Sequence, residues 1–192
     1  GRPVKKYGND YRQSGKQFEY TGKWYSTKDT LNTLKKYACI YTGLMIACIL
    51  VYVAGLMPNN TGSRIFFILL PYVMMVFPIS YGIMGGVSLL LFCRKQEGKG
   101  TSQVVVPEEH LGHMTRAEFE KGIRRPVRCS IGITVLGCIT SVADLILMIQ
   151  NPSDLILTRE LLFEAATVVI LILGSVTTAQ SWKTKAKFTI SG

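Results

Sequence analysis

The sequence predicts an all-α membrane protein, a bundle of four transmembrane helices. Two observations lead to this prediction. Hydrophobic residues make up 48% of the chain and are concentrated in long uninterrupted runs, whereas the lysines and arginines are concentrated between these runs. A helix needs about 20 apolar residues to cross the hydrocarbon core of a bilayer. Four runs are long enough to be spans: 37–57, 65–92, 131–149 and 161–181.

Two other architectures agree less well with these runs. A soluble helical protein would distribute its large apolar residues along amphipathic faces, but here they lie in continuous blocks. A transmembrane β-barrel would show strands of alternating apolar and polar residues, and the blocks contain no such alternation.

The distribution of positive charge predicts the orientation of the chain. The formal net charge is +10, and twenty of the 22 Lys and Arg residues lie in 1–36, 93–130 and 182–192. The other two connections contain only Arg64 and Arg159. Because basic flanks stay on the cytoplasmic side of a membrane, we expect a multi-pass protein of the cell membrane with both termini in the cytoplasm.

This topology divides the chain into five segments. They are a basic and aromatic N-terminal arm (1–36), a first transmembrane hairpin (37–92), a cytoplasmic loop (93–130), a second transmembrane hairpin (131–181) and a cytoplasmic tail (182–192). The segment before the first span is polar, so we expect that span itself to direct insertion.

The N-terminal arm contains the string FEYTGKWY, in which strand-forming residues flank a turn at Thr21-Gly22-Lys23. This pattern predicts a β-hairpin, which as two strands alone would be marginal in water. For the arm as a whole we expect a loosely ordered tail. The alternative is a basic and aromatic patch that binds the membrane surface, or an arm that docks a partner.

Basic residues beside the spans are expected to contact anionic headgroups on the cytoplasmic side of the lipid bilayer. Lys35 and Lys36 precede the first span. Arg124, Arg125 and Arg128 precede the third span.

The central loop contains one predicted helix. Thr115 and Glu118 match a capping box, which predicts a short amphipathic helix from about residue 116 to Gly122, ending before Pro126. Such a helix is typical of a membrane surface. A docking helix for a cytoplasmic subunit is the alternative.

The second span is too long and too rich in proline to be a straight helix. Its 28 residues would measure about 42 Å at 1.5 Å per residue. Pro71 and Pro78 each remove a backbone donor and predict a kink. Gly82 and Gly86 form a G-x-x-x-G step that allows close helix packing. Broken helices also line transport sites.

Two carboxylates lie inside the apolar runs. Counting from the span ends places Asp144 and Glu164 in one shallow layer on the outer side, near Arg64 and Arg159. One interpretation is a neutral salt-bridge cluster of these four residues. The other is an ion or proton site, because acids within a membrane are rare and often functional.

No sequence motif predicts catalysis, a cofactor or a metal site. The string EEHLGH contains Glu108, Glu109, His110 and His113, but its spacing differs from that of a helical metal motif, and a solvated loop is favoured. Phosphate-binding loops, C-x-x-C pairs and nucleophile elbows are absent from the sequence. We therefore expect no enzyme.

Several other sequence features are weaker signals. The five cysteines lie in spans or at their cytoplasmic ends, so no disulfide framework is expected; Cys93 and Cys129 could be acylated, although a packing role is favoured. A glycosylation sequon at 59–61 lies too close to the membrane for a glycan. The basic and aromatic arm needs no nucleic acid as a ligand, since such residues are typical beside a membrane.

The strings RPVKKYGNDYR, FEYTGKWY, SRIFFILLPYV and RELLF, together with the four-span layout, resemble small four-span membrane proteins of Gram-positive anaerobic bacteria. The resemblance implies a bacterial cytoplasmic membrane and no catalytic activity. It also implies that neither the sequon nor cysteine acylation is used.

Two functions from different classes follow as hypotheses. The first is a non-enzymatic membrane component that assembles as a homo-oligomer or within a larger membrane complex. The second is a small oligomeric transporter or channel for protons or cations that uses Asp144 and Glu164.

Overall fold

The computed structural model describes residues 10–58, 60–98, 104–105, 112–150 and 157–191. Most of these residues are helical. The helices are α1 (Leu31–Leu56), α2 (Phe66–Met74), α3 (Val76–Gln96), α4 (Arg116–Phe119), α5 (Arg125–Gln150) and α6 (Leu157–Ala186). The strands are β1 (Tyr11–Ser14), β2 (Gln17–Tyr20), β3 (Trp24–Thr27), β4 (Val104–Val105) and β5 (Phe188–Ser191).

Four helical segments are long and apolar enough to cross a membrane, which confirms the four predicted spans. These segments are Leu31–Leu56, Phe66–Gln96, Arg116–Gln150 and Thr158–Ala186. Each segment extends beyond its apolar run chiefly at the same end of the bundle. At this end α1 and the Arg116–Gln150 segment begin, and α3 and α6 end. The polar residues at that end continue the helices instead of ending them.

The second span is interrupted at Met75, between the two prolines. Pro71 lies inside α2, where it leaves one carbonyl without its helical donor. Pro78 lies in the first turn of α3, where the missing N–H would have no helical partner in any case. The result is one span made of two helices.

The spanning helices share an apolar core. Helix α5 packs along α6, and α1 contacts both α3 and α6. The core includes Tyr41, Met45, Tyr72 and Phe163, all nearly or fully inaccessible. The outward faces of the same helices are also apolar, as at Leu50 (65% exposed). A helix that is apolar on all sides is typical of a membrane span.

A small folded unit, which we call the cap, covers the end at which α1 begins. It consists of residues 10–30, 104–105, 112–124 and 187–191. One sheet has the strand order β1-β2-β4, and a second sheet pairs β3 with β5 in antiparallel register. The segment before α1 and the segment after α6 therefore meet in the cap.

Aromatic side chains fill the interior of the cap. Tyr25 stacks on Phe119 with ring centroids 4.2 Å apart, and Phe119 also contacts the ring of Phe188. Trp24 is only 4% exposed. An ion pair between Lys187 and Asp29, 3.1 Å long, joins the same two chain segments. The described part of the N-terminal arm is thus folded, unlike the loosely ordered tail that we expected.

The N-terminal hairpin is present, but its position differs from the prediction. β1 pairs with β2 through a turn at Gly15, whose φ of 63° suits the first central position of a type II′ turn. Gly22 is not the turn residue. It lies beneath the ring of Tyr20, and a Cβ on Gly22 would lie 2.6 Å from the Tyr20 hydroxyl oxygen.

The predicted capping box of α4 is confirmed. The Thr115 side chain accepts from the Glu118 N–H, and the Glu118 side chain accepts from the Thr115 N–H. The predicted end of this helix near Gly122 is wrong, since the helix runs continuously to Gln150.

A π turn at Glu120–Arg124 carries the helix past Pro126. The Arg125 N–H donates to the Glu120 carbonyl five residues earlier, and this wider turn accommodates a proline that would break a regular α-helix. The Lys121 carbonyl oxygen lies 3.1 Å from the position of a Cβ on Gly85. The turn therefore packs closely against α3, and no separate surface helix forms.

Candidate functional site

Three acidic side chains meet at the end of the helices opposite the cap. We call this the Asn60 end, and we call Asp144, Glu160 and Glu164 the carboxyl cluster. Asp144 belongs to the last two turns of α5, and the two glutamates lie one turn apart at the start of α6. The antiparallel packing of α5 on α6 brings the three carboxyl groups together.

Glu160 is the most fully bonded member of the carboxyl cluster. It is 0% exposed. The backbone N–H of Gly62 donates to its Oε1 at 2.8 Å, and the Asn60 side-chain amide donates to its Oε2 at 3.0 Å. Both donors come from the connection between α1 and α2. Glu160 also lies in the first turn of α6, where the helix dipole stabilises negative charge.

Glu164 has one donor. The Ser141 hydroxyl donates to its Oε1 at 2.6 Å. Its Oε2 is buried and receives no hydrogen bond from the described residues. Glu164 is therefore held against α5 by one neutral group.

Asp144 differs from both glutamates. Its side chain is 0% exposed, and neither of its oxygens receives a hydrogen bond from the described part of the chain. Its carboxyl group instead faces those of Glu160 and Glu164. Two carboxylates cannot donate to each other, so such a contact is a hydrogen bond only when a proton lies between them.

Gly62 allows the connection between α1 and α2 to pack directly against the carboxyl cluster. The position of a Cβ on Gly62 would overlap Asp144 Oδ1 and would lie 3.0 Å from Glu160 Oε2. The same position is 3.2 Å from the amide nitrogen of Asn60. Any side chain at residue 62 would therefore push the connection between α1 and α2 away from the acids.

The structure brings together the two predicted acids but does not bond the predicted arginines to Asp144. Arg64 and Arg159 are exposed. Neither donates to Asp144 or to Glu164 Oε2, because these oxygens have no hydrogen-bond partner among the described residues. All hydrogen bonds found in the cluster come from neutral donors.

Sequence reasoning missed Glu160 and Asn60. The pattern E-x-x-x-E in RELLFEA places Glu160 and Glu164 on one face of a helix, and this signal could have identified the third acid. Asn60 gave no such signal, since its role depends on a contact with a residue 100 positions away.

The predicted packing glycines lie where α3 meets α1. A Cβ on Gly82 would lie 2.8 Å from the Tyr41 hydroxyl oxygen, and a Cβ on Gly86 would overlap the Thr42 hydroxyl. Neither position has room for a side chain.

The predicted headgroup-contact residues have different surroundings. Lys35 forms a 2.9 Å ion pair with Glu97. The guanidinium of Arg125 lies over the ring of Tyr81, 5.8 Å from its centroid. Three others were predicted for the same role: Arg124 pairs with Glu120 and lies over Phe119, whereas Lys36 and Arg128 are exposed.

The described residues contain no group of three or more His, Cys, Asp or Glu placed to hold a metal ion. His113 is described, whereas Glu108, Glu109 and His110 lie outside the described residues, as does Asn59 of the sequon. All five cysteines are free thiols.

Comparison with known proteins gives no relative. No protein-family model matches the chain, and no characterised protein or solved structure matches it either. The resemblance drawn from the short sequence strings therefore stays a prediction.

Proposed function

We propose that the protein is a non-enzymatic membrane component that takes up a small cation, the proton included, at the carboxyl cluster. The observation that carries this proposal is the side chain of Asp144, which is fully buried without a donor. Burial of an unpaired carboxylate costs several kcal/mol. A bound cation removes this cost.

The proposed topology places the cluster on the outer side. The four spans form a bundle with both termini in the cytoplasm, as the distribution of Lys and Arg predicts. Pairing of β3 with β5 supports this topology, because it holds the segment before α1 and the segment after α6 on the same side of the bundle. The Asn60 end would then face outward and would be exposed to the cations outside the cell.

Unfolding in mild detergent tests the uptake of a cation. If the folded protein binds a proton that the unfolded chain releases, the free energy of unfolding increases as the pH decreases. A metal ion bound only by the folded state stabilises it in the same way. We expect Asp144→Asn to abolish the stabilisation by acid and by added Na⁺ or Ca²⁺.

A matched control is Asp29→Asn, which removes an acid of the cap that is paired with Lys187. Like the wild type, this variant should be stabilised by acid and by added Na⁺ or Ca²⁺. Identical pH and salt dependence in wild type and Asp144→Asn would contradict the proposal.

Transport is the further step of this proposal. Four spans alone rarely enclose a pathway, so a transporter of this size would act as an oligomer. In liposomes, Asp144→Asn combined with Glu164→Gln should abolish proton or cation flux. Unchanged flux in the double variant would remove the acids from any transport mechanism.

Assembly is the second candidate function, and one face of α1 favours it. Cys39 and Gly43 are exposed on this face, and a Cβ on Gly43 would meet nothing within 4 Å. Small residues at this spacing let helices approach closely in a membrane. We expect an oligomer in mild detergent that Gly43→Leu dissociates; a monomeric wild type would contradict this candidate.

A further inference from the structure

The six oxygens of the carboxyl cluster fall into two groups. Both oxygens of Glu160 and Oε1 of Glu164 accept a hydrogen bond from a neutral donor. Both oxygens of Asp144 and Oε2 of Glu164 accept none from the described residues. The cluster therefore lacks a donor on the side where Asp144 faces the two glutamates.

A second buried group beside the cluster also lacks a donor. Asn60 is 3% exposed, and its amide nitrogen is committed to Glu160. Its Oδ1 is buried and receives no hydrogen bond from the described chain. An amide oxygen does not titrate, so this atom is a second sign, independent of the acids, that the described chain leaves this site short of hydrogen-bond donors.

The surroundings determine which acid carries the ligand. Glu160 has two N–H donors and the start of α6 to stabilise its negative charge. Asp144 has no donor and lies towards the carboxyl end of α5, where the helix dipole is unfavourable for an anion. Asp144 is therefore the acid that gains most from neutralisation.

None of the other described ionisable groups at this end donates a hydrogen bond to Asp144. Arg64, before α2, and Arg159, in α6, are exposed and do not donate to Asp144. From α1 and α2, Tyr52 and Tyr72 face each other, and the Tyr72 hydroxyl donates to the Tyr52 carbonyl. The ionisable groups that face Asp144 from α6 are the two glutamates.

The geometry points to a proton as the ligand: Asp144 binds it and donates it to the carboxylates of Glu160 and Glu164. This inference rests on the proposed function and specifies its cation. A metal ion would require several carboxylate oxygens that converge on one point, and the described residues hold no group placed to bind a metal in this way. A proton needs only the contacts that are present.

Asn60 and Gly62 are positioning residues in this site. By bonding Glu160, they hold it as the charged acceptor that faces Asp144. Loss of the Asn60 amide should weaken the preference of the proton for Asp144 and not remove the site. Asn60→Ala therefore changes where the proton is held, whereas Asp144→Asn removes its carrier.

Infrared spectroscopy of the protein in liposomes tests this inference at neutral pH. We expect a protonated-carboxyl stretching band that shifts when the protein is labelled with ¹³C-aspartate, which needs no substitution. Asp144→Asn should remove this band, Glu164→Gln and Asn60→Ala should shift it, and Asp29→Asn should leave it unchanged.

The outcomes separate this inference from the proposed function. Absence of the band in the wild type, or a band insensitive to ¹³C-aspartate, would overturn the proton at Asp144. If Na⁺ or Ca²⁺ abolished the band and stabilised the protein through Asp144, the ligand would be a metal ion and the proposed function would stand. If neither pH nor added ions acted through Asp144, both would fail.

Discussion

The hydroxyl of Ser141 lies 2.6 Å from Oε1 of Glu164 and joins α5 to α6 beside the carboxyl cluster. The bond is short and its acceptor is an acid in largely apolar surroundings. A hydrogen bond to a charged acceptor contributes more to stability than one between neutral groups. The hydrogen bond from Ser141 therefore holds the Glu164 side chain in place whether or not Asp144 carries a proton.

A double-mutant cycle measures this bond. Ser141→Ala, Glu164→Gln and the double variant should give a coupling free energy of about 1–3 kcal/mol, measured by denaturant unfolding in detergent micelles. Ser175→Ala is the control, because the Ser175 hydroxyl bonds only a carbonyl of its own helix and is exposed; it should cost little. A coupling indistinguishable from zero would contradict the bond.

Packing of α1 on α3 should be intolerant of a side chain at residue 86. Gly86→Leu would overlap Thr42 and approach Tyr41, and we expect a loss of about 1–3 kcal/mol in the free energy of unfolding. Gly43→Leu lies on the open face of α1 and should leave the stability of the monomer nearly unchanged. Equal losses for both variants would show that the two helices do not meet as described.

The cap should open when Phe188 is truncated. Phe188 packs on Phe119, and Phe188→Ala should cost the cap about 2 kcal/mol, since the residue is only half-buried. Trp24 reports this opening in a Trp182→Phe background: its fluorescence should shift to longer wavelength and become accessible to iodide. Ile190→Ala, at a residue 59% exposed, is the control and should leave the spectrum unchanged.

Strong alkali should also loosen the cap through Tyr20. Burial raises the pKa of Tyr20 from 10.0 to about 12, although a hydrogen bond from the Arg116 N–H lowers it in part. Because the pKa is higher in the folded state, the contribution of the neutral phenol to stability is complete below pH 10.0 and is lost as the pH rises towards 12.

Absorbance of the phenolate, followed in wild type and Tyr20→Phe, measures this titration. The Tyr20 hydroxyl also donates to the Lys23 carbonyl, so Tyr20→Phe should cost about 1–2 kcal/mol at neutral pH. A wild type whose tyrosines all titrate near pH 10.0 would contradict the burial of this phenol.

The sequence was informative where structure depends on local composition. Long apolar runs predicted the four spans, and the capping box predicted the start of α4. Counting residues from the span ends also placed Asp144 and Glu164 in one layer, and in the structure their carboxyl groups face each other. Each of these inferences uses only helix geometry and the thickness of a bilayer.

Contacts between distant segments could not be predicted in the same way. β3 pairs with β5, and the hydroxyls of Ser26 and Thr189 meet across 163 positions. The string that suggested a hairpin at Gly22 contains strand formers whose actual partners lie elsewhere in the chain. Likewise, Pro126 predicted a helix end because a π turn leaves no clear pattern in the sequence.

The pairing of β3 with β5 also sets an order of events during synthesis. Strand β3 is made before any spanning helix, but its partner follows α6 and is made after all four. Until then β3 lacks its strand partner, and the ring of Phe119 lacks its contact with Phe188. The pairing of the two strands can therefore be completed only after all four spans have been synthesised.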